Sequence, residues 1–179
     1  MMKLSGRVAL AGIVCALSFI MMMLTVIPVT EIALPAIAGA ILIFLVIELG
    51  VKWGFLGYAV VAILSLLMAP SMESRVLFVL FFGYYPVLKA ILERISFPFL
   101  GWILKFSVFN ITAVVGYIVL TDLLFAVDPA EFVLFGVFLP GVYLLVGNAI
   151  FFLYDIGLTR WISIYLHFWR PRLQKLFRF

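Results

Sequence analysis

The sequence predicts an all-α polytopic membrane protein, a six-helix transmembrane bundle ending in a C-terminal interfacial helix. Three observations carry that reading. Of 179 residues, 68% are hydrophobic and 11% are charged, with a mean hydropathy of +1.35, whereas charged residues make up about a quarter of a soluble domain. The apolar residues fall in long runs divided by short charged or Pro-containing joints, and most runs approach the ~20 residues that cross a hydrocarbon core. Folding the runs back and forth then puts Lys3, Arg7, Lys52, Lys89, Arg94, Lys105, Arg160, Arg170, Arg172, Lys175 and Arg178 on one side. Arg75 alone falls opposite, together with Glu31, Glu73, Asp122, Asp128 and Glu131. Short loops rich in Lys and Arg stay in the cytoplasm. Both termini are therefore expected there, with the chain in a bacterial inner membrane.

The first span, 8–27, follows Lys3 and Arg7 and is stopped by Pro28. It is longer than a signal-peptide core and no small-x-small cleavage pattern closes it, so it is kept as a span. The second span is 32–49. Gly50-Val51-Lys52 makes a tight turn into the third, 53–69, and Pro70 to Ser74 forms the next loop. The fourth, 76–92, ends in the charged joint 93–98, and Pro86 within it removes a backbone donor and predicts a kink. The fifth is 101–124, followed by the acidic loop 127–131. The sixth is 132–158, with a second break expected at Pro140-Gly141. From Arg160 onward, aromatic and polar residues alternate before a basic tail. Trp161, Tyr165 and Trp169 suit the headgroup level, with Arg170, Arg172, Lys175 and Arg178 facing anionic lipid. No repeat divides the chain, and 1–179 is read as one domain.

Small residues let membrane helices approach. Ala9, Gly12 and Ala16 stripe the first span, with Ala11 and Cys15 beside them; Ala36, Gly39 and Ala40 lie in the second, and Gly50, Gly54 and Gly57 in the third. Such a stripe either packs the bundle or docks a partner, and Gly12 and Ala16 are the candidate docking pair.

Charges inside apolar spans are costly and functional by default. Glu48, Lys89, Lys105 and Asp155 lie near the cytoplasmic boundary, two of each sign, and are expected to pair; Glu48 also has Lys52 at i,i+4. Asn110 and Asn148 fall about 13–16 Å deep, near the midplane. With Tyr84 and Tyr85 beside the kink, and Tyr117 and Thr121 leading outward, they are candidate ligand-binding residues around an outward-opening cavity. The competing reading is plain interhelical hydrogen bonding.

Several chemistries have no basis in the sequence. The lone histidine, His167, lies in the interfacial stretch, and the lone cysteine, Cys15, excludes an internal disulfide. There is no HExxH, no GxSxG, no Gly-rich phosphate loop and no metal-ligand spacing of carboxylates. The basic residues are scattered over helix ends rather than patched for nucleic acid. No catalytic residues, no metal, no cofactor, no enzyme activity and no nucleic-acid partner are expected.

The segment Ala9-Leu10-Ala11-Gly12-Ile13-Val14-Cys15-Ala16-Leu17, with Leu34-Pro35-Ala36-Ile37-Ala38-Gly39 and Gly50-Val51-Lys52-Trp53-Gly54, resembles the first three helices of the substrate-binding S components of energy-coupling-factor vitamin transporters. The block Phe82 to Ala90 resembles small bacterial membrane proteins of similar architecture. The joint 28–31 is shorter than the gating loop of the S components, and no motif specific to thiamine, riboflavin, biotin or folate is present. The resemblance implies a small-molecule-binding transport subunit whose first helix docks an energy-coupling transmembrane protein with its ATPases. The alternative is a non-transporting membrane scaffold or assembly factor.

The charge asymmetry makes a topology prediction. Single cysteines at positions 71 and 129 should label from outside intact cells, and one at 96 only from inside. Exterior labelling of position 96 would overturn the orientation.

Overall fold

The apolar runs form helices in the computed structural model, which describes residues 3–124, 128, 133–134, 137–138 and 140–171. The expectations for Pro129, Glu131, Phe132, Arg172, Lys175 and Arg178 lie outside the described residues. The helices are α1 (Leu4–Met23), α2 (Ala33–Leu49), α3 (Val51–Met68), α4 (Met72–Leu77), α5 (Tyr85–Leu92), α6 (Pro98–Ile118) and α7 (Pro140–Ile164). α4 and α5 are halves of one apolar segment, Met72–Leu92, joined through a π-turn at Phe78–Phe82. Among the described residues, five helical segments are long and apolar enough to cross a membrane, and α2, at 17 residues, is a shorter apolar helix. The chain is a helical, multi-pass membrane protein.

The registers alternate. Ser18 of α1 donates to the Ala38 carbonyl of α2, Gly57 of α3 faces Leu45 and Leu42 of α2 as well as Cys15, and Lys105 of α6 meets Asp155 of α7. α5 and α7 run parallel, Tyr85 packing on Phe151 and Lys89, one turn on, reaching Thr159. The bundle therefore has one end where α2 and α5 finish and α3 and α6 begin. Lys52, Arg94 and Arg160 lie there, and it is called the basic end below.

Two apolar cores result. One joins α1, α2, α3 and the π-turn after α4 through Val14, Met22, Leu42, Leu45, Val61 and Phe78. The other is aromatic, with Phe81, Tyr85 and Phe151 packed against Phe106, Phe109 and Tyr154. Rings pack edge-to-face and offset because their quadrupoles favour it.

Backbone constraints fix the turns. Gly50 has φ +94° and ψ 172°, a region essentially reserved for glycine. Its N–H bonds the Leu45 and Val46 carbonyls while its own carbonyl receives Trp53 and Gly54 N–H, so one residue ends α2 and starts α3. Ahead of Pro86 the α-helix is interrupted, by the π-turn at Phe78–Phe82 and a turn at Gly83-Tyr84. Gly83 N–H bonds the Phe78 carbonyl in the π-turn, and Tyr58 of α3 donates to the Val79 carbonyl at 2.8 Å. Proline at 86 cannot satisfy the Phe82 carbonyl. That oxygen lies against Gly39, where any Cβ would collide with it. Arg75, the isolated cation of the acidic side, is directed at the α3 C-terminus, donating to the carbonyls of Leu66 and Ala69, where a cation complements the helix dipole.

The expected break at Pro140 and the expected reach of Glu48 to Lys52 differ from the structure. Span six does not break at Pro140: α7 starts there, after a two-residue antiparallel ladder of β1 (Val133–Leu134) and β2 (Val137–Phe138). A proline at the first helical position loses no needed N–H, so the residue that would break a helix interior opens this one. The interfacial stretch extends the sixth span, as its sequence implies. It continues α7 through a π-turn at Tyr165–Trp169; the apolar segment Gly141–Phe168 has 28 residues and rises about 42 Å, well beyond a hydrocarbon core. Glu48 does not pair with Lys52, because Gly50 interrupts the helix between them. Its partners are Arg170 at 3.0 Å and the Tyr165 hydroxyl at 3.2 Å. Arg170 thus turns back to the bundle instead of outward to lipid.

Gly50→Ala should lose about 1–3 kcal/mol of stability, the cost of a side chain in this backbone region. Reversible unfolding in mixed micelles measures it. A neutral result would mean the α2–α3 turn does not need its glycine.

Candidate functional site

Lys89 arrives at the basic end because Pro86 restarts the helix and sends the next turn of α5 toward α7. One turn before the end of α5, its Nζ is 2.6 Å from Asp155 Oδ1, 2.6 Å from Glu93 Oε1 and 2.8 Å from Thr159 Oγ1. Lys105 enters from α6, with Nζ 3.0 Å from Asp155 Oδ2 and 3.1 Å from Glu93 Oε1. It also lies 5.0 Å from the centre of the Trp102 ring, within cation–π range. The Tyr85 hydroxyl donates to Asp155 Oδ1 at 2.5 Å. Asp155 so receives two ammonium groups and a phenol.

Burial sets the energetics. Lys89 is 1% exposed, Asp155 2% and Lys105 5%, while the Glu93 side chain is 43% exposed. Desolvating an ion costs several kcal/mol, recovered only with close pairing and further hydrogen bonds. Both conditions hold here. Two lysines face two carboxylates, and the cluster is neutral as a set.

Beside it lies a half-open cavity of about 370 Å³ at the basic end. Glu93, Lys105, Asp155, Thr159 and Arg160 give it polar walls; Leu92, Ile95, Trp102 and Ile156 give it apolar ones. A concave site with a few convergent polar groups and this volume is of the kind that holds small molecules.

The expected ion-pairing set is brought together except for Glu48, which lies with Arg170. Glu93 takes its place. Its signal in the sequence was the i,i+4 spacing from Lys89, and Thr159 stands at the same spacing from Asp155. Tyr58, which holds the interruption, gave no local signal at all.

The six expected ligand-binding residues lie away from that cavity, most of them engaged with protein partners among the described residues. Asn110 and Asn148 meet across α6 and α7, each amide donating to the other's oxygen at 2.9 Å. Each also donates to a carbonyl one turn back, Phe106 for Asn110 and Leu144 for Asn148. An amide pair completed this way holds helices together and leaves no donor for a ligand. Tyr85 is buried on Asp155, and Tyr84 sits edge-on to Tyr58 and Phe81. Thr121 bonds the Tyr117 carbonyl. Aromatic rings occupy the space between α5, α6 and α7 where the outward cavity was expected. None of the six lines the cavity at the basic end.

Gly12 and Ala16 lie on the outer face of α1, exposed, with open space where a Gly12 Cβ would stand. Gly54 and Gly57 instead face neighbouring helices. His167 Nδ1 lies 2.8 Å from the Ser163 carbonyl on the same helix. Among the described residues no group of three or more His, Cys, Asp or Glu could hold a metal ion.

These features define a multi-pass helical membrane protein with an ionised cluster inside its bundle and a cavity against it. Comparison with protein-family models, with curated proteins and with solved structures gives no match.

Asp155→Ala should cost about 3–5 kcal/mol by leaving two buried ammonium groups short of a counter-charge. The triple variant Lys89→Met, Lys105→Met, Asp155→Leu should recover most of that loss, since apolar side chains of similar volume replace such clusters well. Unfolding in mixed micelles distinguishes the two. Equal loss in both variants would mean packing, not charge, holds the site.

Proposed function

We propose that the chain is a six-span subunit of a bacterial inner membrane that binds a small molecule and is energised by a separate ATPase module. The observation carrying this reading is the half-open polar cavity set against ionised side chains within the bundle. A spacer needs no such charges, which are expensive in hydrocarbon and mark functional sites. In this reading α2 is the sixth crossing. Its 17 residues rise about 25 Å, and α1 and α3, both antiparallel to it, require a return path between them.

In this reading both termini are cytoplasmic, in keeping with the distribution of Lys and Arg. The cavity then opens toward the cytoplasm, the side on which an imported molecule leaves. The ligand site expected near the outer face shifts accordingly to the inner end of α5, α6 and α7. The sequence carries no nucleotide-binding motif, so active transport requires a partner. The exposed Gly12 and Ala16 on α1 suit close approach of a partner helix, which agrees with the resemblance to S components. The chain acts here as a binding subunit and not as an enzyme.

A second reading, a non-transporting scaffold or assembly factor, is favoured by the closed Asn110–Asn148 pair and the filled aromatic centre. Affinity purification in mild detergent separates the readings: recovery of an ATPase module with a coupling membrane protein supports the first, and its absence the second.

Changing Gly12 and Ala16 together to Leu should abolish that co-purification while the isolated chain keeps its helical content and elution volume. Unaltered recovery of the partner would remove α1 as the docking face.

A further inference from the structure

The two carboxylates of the ionic cluster are not equivalent. Asp155 stands mid-helix on α7 with its side chain 3% exposed and donors from Tyr85, Lys89 and Lys105. Glu93 is the capping residue after the last turn of α5, at the start of a non-helical joint. Its side chain is 43% exposed, and it meets both lysines through the same oxygen, Oε1. Glu93 also lines the cavity, as does Lys105. One counter-ion is built into the bundle, and the other stands at the mouth of a space large enough for a ligand.

We propose that the cavity receives a small organic monocarboxylate, and that its carboxylate replaces Glu93 between Lys89 and Lys105. This rests on the small-molecule reading above and names the chemical class of its ligand. Charge is conserved in the exchange: Glu93 swings into water as the ligand carboxylate arrives, and the buried ammonium pair is never left short of an anion. A cationic ligand would add positive charge to a site where Lys89, Lys105 and Arg160 already stand. A neutral ligand would have to bind beside Glu93 or leave the lysines uncompensated. Arg160 at the cavity wall favours approach of an anion. Trp102, Leu92, Ile95 and Ile156 offer apolar walls to the rest of the molecule, and a volume of about 370 Å³ suits a single-ring acid better than a large vitamin.

The test uses the full chain in lipid nanodiscs with benzoate as probe, and benzamide and benzylamine as neutral and cationic counterparts. Binding is read by saturation-transfer NMR and by thermal unfolding. Glu93→Gln keeps the side-chain shape and removes the competing charge. It should bind benzoate about tenfold or more tighter than the parent chain, with benzamide binding unchanged, and Lys105→Met should abolish benzoate binding. Should Glu93→Gln unfold at a lower temperature than the parent, benzoate should restore the parent midpoint and benzamide should not. Equal benzoate affinity in parent and Glu93→Gln, or no benzoate binding by either, overturns the exchange. Benzamide or benzylamine binding in place of benzoate rejects the anion while sparing the small-molecule site. Failure of every probe, together with no ATPase partner in the affinity purification, rejects the underlying function as well.

Discussion

A carboxylate placed in hydrocarbon must find cations, and the position of Asp155 governs how α5, α6 and α7 are arranged. Lys89 and Lys105 come from different helices and share its two oxygens, so neither helix can rotate far without exposing an ion to an apolar medium. The helix interruption ahead of Pro86 serves the same contact. By breaking the segment between Phe82 and Tyr85, it turns Tyr85 and Lys89 together toward α7. The interruption itself depends on residues elsewhere, Tyr58 bonding one freed carbonyl and Gly39 making room for another. Electrostatics at one end and backbone accommodation in the middle are thus parts of one arrangement.

The two halves of the bundle differ in how they are held. α1, α2 and α3 pack through aliphatic side chains and small residues, with a single glycine reversing the chain at Gly50. α5, α6 and α7 pack through aromatic rings, amides and ions. The first half has the composition of a stable support. The second has the directional, polar contacts from which binding sites are made.

Much of this was legible in one dimension. Apolar runs locate helices because the hydrocarbon core demands them, and the interruption of the fourth span followed from Pro86. The limits of α7 were less legible, since a proline reads alike as a break and as a first residue until the preceding backbone is known. By depth Glu48 belongs with Lys89 and Lys105, and by spacing it also has Lys52; Gly50 cancels that spacing, and Arg170, with which it pairs, is far away in sequence. Counting along the spans places the amides of Asn110 and Asn148 at matching depth. Depth does not say whether two amides face each other or a space between them, and here they face each other. Glu93 reads as part of the charged joint after the fourth span, although its spacing from Lys89 makes it the nearer counter-ion.

The amide pair also acts as a detent. Each asparagine is fastened to its own helix and to the other's oxygen at once, so the contact has a single seat. Moving α6 along α7 by even a fraction of a turn breaks both cross-helix bonds together, and no neighbouring residue of either helix offers a second amide to take their place. The α6–α7 pair is for this reason a latched unit, in contrast to interfaces of smooth aliphatic side chains, where one helix can creep past another by degrees.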